Sequence, residues 1–163
     1  MGQKENSIRT GDGSALDLAA PKSPDWQTCG THRFYIHNDV LFWEITGPMV
    51  ISDFVVLYDS RAQLQRQYGY ALVLFDARQH GGVPPEARRY LATFKPDPPP
   101  LGSIGVFGAG LLVRTVVSLI QAAARRLGRN QTTQLAFEDD EAACWVQLAR
   151  ERRKLRAAHA PQG

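Results

Sequence analysis

The chain has 163 residues, 44% of them hydrophobic, which is enough for one domain with a real core and crowded for two. Nineteen Lys and Arg against 16 Asp and Glu leave a formal charge of +3, too slight to argue for a nucleic-acid partner without a patterned basic face. Cys29 and Cys144 form no metal spacing and the four histidines are scattered, so neither a structural zinc site nor any other cofactor is expected.

Residues 1–31 are rich in Gly, Ser, Asp, Lys and Pro, with Ile8, Leu16, Leu18 and Trp26 as the only large apolar side chains after Met1. Such a stretch cannot build a core and predicts a disordered leader. It carries no apolar run of the secretory type, which points to the cytoplasm and reduced thiols.

The domain is expected over 32–157, with a frayed tail at 158–163. Arg33 to His37 and Val40 to Thr46 read as a hairpin, because Asn38-Asp39 tolerates the positive φ a two-residue turn needs. Gly47-Pro48 ends it. Ser52 is the expected N-cap of a helix whose inner side is Phe54, Leu57, Tyr58, Ala62, Leu64 and Tyr68 and whose stop is Gly69. Tyr70 to Phe75 is a continuous apolar run too short for a helix, the pattern of a central strand buried on both faces.

Asp76 ends that strand and opens a polar loop over 77–83. Pro84-Pro85 then starts a short helix with Ala87, Tyr90, Leu91 and Phe94 facing in and Arg88 and Arg89 facing out. Residues 95–100, Lys-Pro-Asp-Pro-Pro-Pro, are a stiff connector. Ser103 to Phe107 is a second buried strand, and Gly108 and Gly110 turn it into the longest apolar helix, from Leu111 towards Arg129. That stretch is no membrane span, since Arg114 would sit near the bilayer centre and a polar stripe runs along the helix. Gln134 to Phe137 is a last strand. The closing helix is acidic at its start, Glu138 to Glu141, and basic at its end, Arg150 to Arg156, which complements the helix dipole. Trp145, Leu148, Ala149 and Leu155 supply its apolar stripe.

Asp76, Arg78 and His80 follow the end of a central strand, where open α/β sheets place their ligands. An Asp and a His can act as base and acid, yet no Ser, Thr or Cys lies in 77–89 to serve as nucleophile. The glycines of 105–110 fail the dinucleotide fingerprint in spacing, and no acidic residue follows to hold a ribose. A tight strand-to-helix turn explains them.

The order hairpin, helix, strand ending Leu74-Phe75-Asp76, the Glu86-Ala87-Arg88-Arg89 helix, the Ile104-Gly105-Val106 strand and the segment from Leu135 to Val146 resembles the SpoIIAA-like branch of the STAS domain proteins. The pattern Leu135-Ala136-Phe137-Glu138, followed by Asp139-Asp140-Glu141-Ala142 and Trp145, is its most specific part. The resemblance covers roughly 32–156. It implies an α/β fold with a four- to five-stranded mixed sheet, an N-terminal hairpin and about four helices packed mainly on one side, a fold also similar to that of CRAL-TRIO lipid-transfer domains. It further implies a non-enzymatic, bacterial, cytoplasmic regulatory module that binds a protein partner through Asp76, Arg78, His80, Arg88 and Arg89. The loop after Asp76 has no Ser or Thr, so the phosphorylation switch of anti-sigma-factor antagonists does not carry over. The alternatives are a carrier or sensor of a small apolar, lipid-like ligand held between sheet and helices, and an enzyme using Asp76 and His80.

Overall fold

The computed structural model describes residues 18, 20–111, 113–115, 117–118, 121 and 132–159. The strands are β1 (Gln27–Cys29), β2 (His32–His37), β3 (Val40–Gly47), β4 (Ala71–His80), β5 (Leu101–Phe107) and β6 (Thr132–Glu138); the helices are α1 (Ile51–Tyr68), α2 (Pro85–Thr93) and α4 (Glu141–His159). Between β5 and β6, the described residues of 111–121 are helical and are labelled α3. The rest of the expected long helix, with Gly128, lies outside the described residues, as do 1–17 of the leader and 160–163 of the tail. No helix among the described residues is long and apolar enough to cross a membrane.

The six strands lie in the order β1-β2-β3-β4-β5-β6. The first two junctions are antiparallel and the last three parallel, giving an α/β fold with a mixed sheet. The β2–β3 hairpin forms where expected, with Asn38 at φ 55°. Each parallel junction needs a crossover, and right-handed crossovers that always step in one direction deliver their helices to one face. Accordingly α1 and α2 cover the face made by Phe34, Leu41, Trp43, Ile45 and Val73. Val113 of α3 packs nearby with Ile104, Val106, Leu135 and Phe137.

After β6 the chain returns on the opposite face, so the expectation of helices mainly on one side fails for α4. Cys144, Trp145 and Leu148 pack there against Val40, Phe42, Leu72, Leu74 and Phe107. Leu41, Leu72, Leu74 and Leu148 are fully buried, each burial contributing about 1.5–3 kcal/mol. Gly105 lets α4 approach: a Cβ there would lie 3.2 Å from Cys144 Sγ. Beside it Gln147 Nε2 donates to the buried Ser103 Oγ at 2.9 Å. At the hairpin turn, buried Asp39 accepts from Tyr70 Oη at 2.8 Å and from Arg152 Nη2 of α4, while Arg156 Nε donates to Tyr70 Oη at 3.1 Å.

Four boundaries differ from the expectation. The sixth strand, β1, comes from the segment read as leader; just before it Trp26 packs edge-on to Tyr35, with ring centroids 4.8 Å apart, under the Arg33 guanidinium. The N-cap of α1 is Val50, whose N–H donates to Asp53 Oδ2 at 2.8 Å, and Ser52 lies inside the first turn. Asp76 does not end β4, which continues to His80 because Gln79 pairs with Thr46 and His80 with Gly47 after a bulge. Finally, α4 runs on to His159.

Candidate binding cleft

The bulge in β4 sets the geometry of the strand ends. Before it, Asp76 pairs with Glu44 and Phe107 and is buried, 4% exposed. Its carboxylate is clamped by Arg78: Arg78 Nε donates to Oδ1 at 3.0 Å, Arg78 Nη2 to Oδ2 at 2.6 Å, and the Arg78 backbone N–H to Oδ1 at 3.1 Å. The guanidinium also lies 5.5 Å from the Phe107 ring centroid. Its stem crosses Gly108, at φ 70°, where a Cβ would stand 2.3 Å from Arg78 Cγ. Only glycine admits that crossing. Bidentate pairing raises the Arg78 pKa above its ordinary value.

His80 sits one step further on, half-buried, with Nδ1 accepting from Gly82 N–H at 2.7 Å. That bond leaves the proton of the neutral ring on Nε2. Burial first, and the neighbouring His32 second, pull the His80 pKa below its ordinary value. Gly81 passes against the end of β3, where a Cβ would be 2.6 Å from Gly47 C. The turn thereby delivers the chain to Pro84 and Pro85, which open α2.

Arg78, His80 and Arg88 line one cleft of about 750 Å³, with Val83, Pro84, Val113 and Val117 as its apolar wall and Gly108 and Gly110 at the start of α3. Three of the five expected partner-binding residues therefore meet in one place. Asp76 is not among them; it lies beneath Arg78 as its counter-charge. Arg89 is exposed as expected but is not part of the lining. Missing from the sequence reading was the opposite wall: the glycine turn and the α3 residues Val113 and Val117 read as fold elements, although glycines before a helix at a strand end were a usable signal.

Chemically the lining is one-sided. Among the described residues it holds two arginines and a histidine, with no carboxylate, hydroxyl or thiol. Arg78 is neutralised by Asp76, whereas Arg88 makes no ion pair with a described residue. Asp76 and His80 share no hydrogen bond, so the acid–base pair of the enzymatic alternative is not assembled.

A second cluster involves residues the sequence reading left unassigned. Asp53 accepts from Cys29 Sγ at 3.4 Å and lies 3.1 Å from His32 Nε2, while His32 Nδ1 accepts from Thr46 N–H at 3.0 Å. The carboxylate separates thiol from imidazole, so the imidazole cannot activate the thiol. Burial, with Asp53 beside it, pushes the Cys29 thiol up to about 11, which keeps it protonated and unreactive at neutral pH. The cluster ties β1, β2 and the start of α1 together. No group of three or more His, Cys, Asp or Glu among the described residues is arranged to hold a metal ion.

The basic end of α4 is largely engaged within the fold: Arg152 on Asp39, Arg156 on Tyr70, and Lys154 on Glu151. No protein-family model matches the sequence, and no curated protein matches it. Among solved structures the chain is similar to the crystal structure of an uncharacterized protein of the DUF3478 family with a SpoIIAA-like fold from Shewanella loihica PV-4, at 14% identity over 77% of this chain and 92% of that one, with a TM-score of 0.37.

Proposed function

We propose that the chain is a non-catalytic, cytoplasmic protein-interaction module of the SpoIIAA-like kind, whose partner presents an acidic segment to the cleft. The observation that carries this reading is the lining: Arg78, His80 and Arg88 converge on one concavity whose described residues include no carboxylate, hydroxyl or thiol. Arg88 supplies the net positive charge of this surface, since Arg78 is paired with Asp76, and opposite charge on the partner favours encounter and register. Asp76 acts here through Arg78, holding the guanidinium at the rim.

The test compares two neighbouring charge reversals. Arg88→Glu, on the cleft, is expected to weaken binding of a partner captured from the source lysate at least about tenfold, while Arg89→Glu, one residue away and off the cleft, leaves affinity within about twofold. Both positions are exposed, so stability changes by no more than about 0.5 kcal/mol. Equal affinity for Arg88→Glu and the unaltered chain refutes the assignment. Turnover of a small substrate that disappears in Asp76→Asn refutes the non-catalytic reading altogether.

The apolar wall of Val83, Pro84, Val113 and Val117 supports a second reading, a carrier of a small apolar ligand, and the cleft volume falls within the range of small-molecule sites. The ligand would then lie at the strand ends rather than between sheet and helices. Native mass spectrometry of the purified chain separates the two, since a retained acyl compound favours the carrier.

A further inference from the structure

At the other end of the sheet, where β5 and β6 begin, Arg61 of α1 is 6% exposed. Its Nη2 donates to Thr133 Oγ1 at 3.0 Å, and its Nε has no hydrogen-bond partner among the described residues. No described carboxylate forms an ion pair with it. Burial lowers its pKa from the ordinary guanidinium value, but a guanidinium retains its charge throughout the physiological range. A buried cation whose hydrogen-bond partner among the described residues is a neutral hydroxyl is unfavourable, and an anion beside it relieves that.

Arg61 lines a pocket of about 60 Å³ between α1 and residues 94–100, walled by Tyr58, Phe94, Pro96, Pro98 and Pro100. The walls are fixed by bonds that do not include Arg61 itself, although Thr133 is shared with it. Gln65 Nε2 donates to Pro99 O at 3.0 Å, Leu101 N–H donates to Gln65 Oε1 at 3.0 Å, and Thr133 Oγ1 donates to Pro100 O at 2.9 Å. The volume is about twice one water's share of the liquid, enough for a carboxylate and one or two carbons. Exposed Asp59 and Asp97 also line the pocket, and their charges oppose any anion there, a dianion about twice as strongly as a monoanion.

We propose that Arg61 anchors a site for a small monocarboxylate, distinct from the cleft at the strand ends. The Nη edge of the guanidinium is what a carboxylate can meet, because Nε is enclosed and Nη2 gives one hydrogen to Thr133, and the rings and prolines pack the short apolar remainder.

The test is the melting temperature of the full chain at constant ionic strength in acetate or propionate, with sulfate and inorganic phosphate as dianion controls and chloride as baseline. Acetate and propionate are expected to give a saturable rise of about 3–6 °C at ten times their dissociation constant, whereas sulfate and phosphate give only the non-saturating rise of excluded salts, which Arg61→Met keeps. Arg61→Met removes the saturable rise; Arg66→Met, an exposed position on the same helix, keeps it. Should Arg61→Met not fold, Arg61→Lys, which keeps the charge and loses the fork, is expected to halve the rise or worse, and an undiminished rise overturns the proposal. No saturable rise in the carboxylates, an equal saturable rise in sulfate or phosphate, or a saturable rise that survives Arg61→Met also overturns it.

Discussion

Asp39→Asn tests how α4 is held. Asp39 is 1% exposed and Arg152 7%, so both charges of this pair are removed from water. The carboxylate also accepts from Tyr70 Oη at 2.8 Å, and Arg156 Nη2 stands 3.9 Å away. Asn preserves size and an acceptor oxygen but removes the charge, leaving the Arg152 guanidinium buried beside a neutral amide. Breaking one side of a buried pair is destabilising by about 3–5 kcal/mol. Arg156, whose side chain is 63% exposed, adds little because solvent screens it. The expected result is a loss of about 3–5 kcal/mol in urea unfolding followed by tryptophan fluorescence, without a change in m. Arg152→Met alone is expected to be destabilising, and the double variant to be less so than the sum of the singles, since the orphaned charge is gone. A loss below about 1 kcal/mol for Asp39→Asn, or strictly additive variants, would refute the claim that this pair pins α4 to the hairpin.

Two further outcomes concern the segment before the hairpin and the cleft histidine. Trp26→Ala is expected to lower stability by about 1–3 kcal/mol, because the ring is half-buried against Tyr35 and Phe42 under Arg33; an unchanged urea midpoint would return this segment to a passive leader. His80 has a lowered folded pKa, so the unfolded chain binds more protons as pH falls through the ordinary histidine value of about 6.5. Stability is then full above that value and declines with acidification until the folded pKa is passed. Melting curves from pH 8 to 5 are expected to show a smaller decline in His80→Gln than in the unaltered chain, and an identical decline removes His80 from the account.

Much of the architecture is written locally in the chain. The Asn38-Asp39 turn, the Gly69 stop, the two-faced apolar run of β4 and the Pro-initiated α2 each depend on residues within a few positions of one another, so their backbone preferences are readable directly. The convergence of Arg78, His80 and Arg88 was legible in part, because strand ends in α/β sheets follow from element order. Other features depend on distant partners and were not. The continuous apolar run in β4 demands cover on both faces but does not say which helix supplies it; α4 takes one face because it alone follows the last crossover. Gln27–Cys29 has no strand signature of its own and becomes a strand by pairing with β2. β4 outruns Asp76 because Thr46 and Gly47 offer it backbone partners. Asp39 and Arg61 read as surface charges by type. Burial of the first is made tolerable by Arg152, 113 positions away in sequence, and the second meets Thr133 72 positions on. Charges that separate in sequence and meet only in the folded core leave no local trace, and only the tertiary structure could decide them.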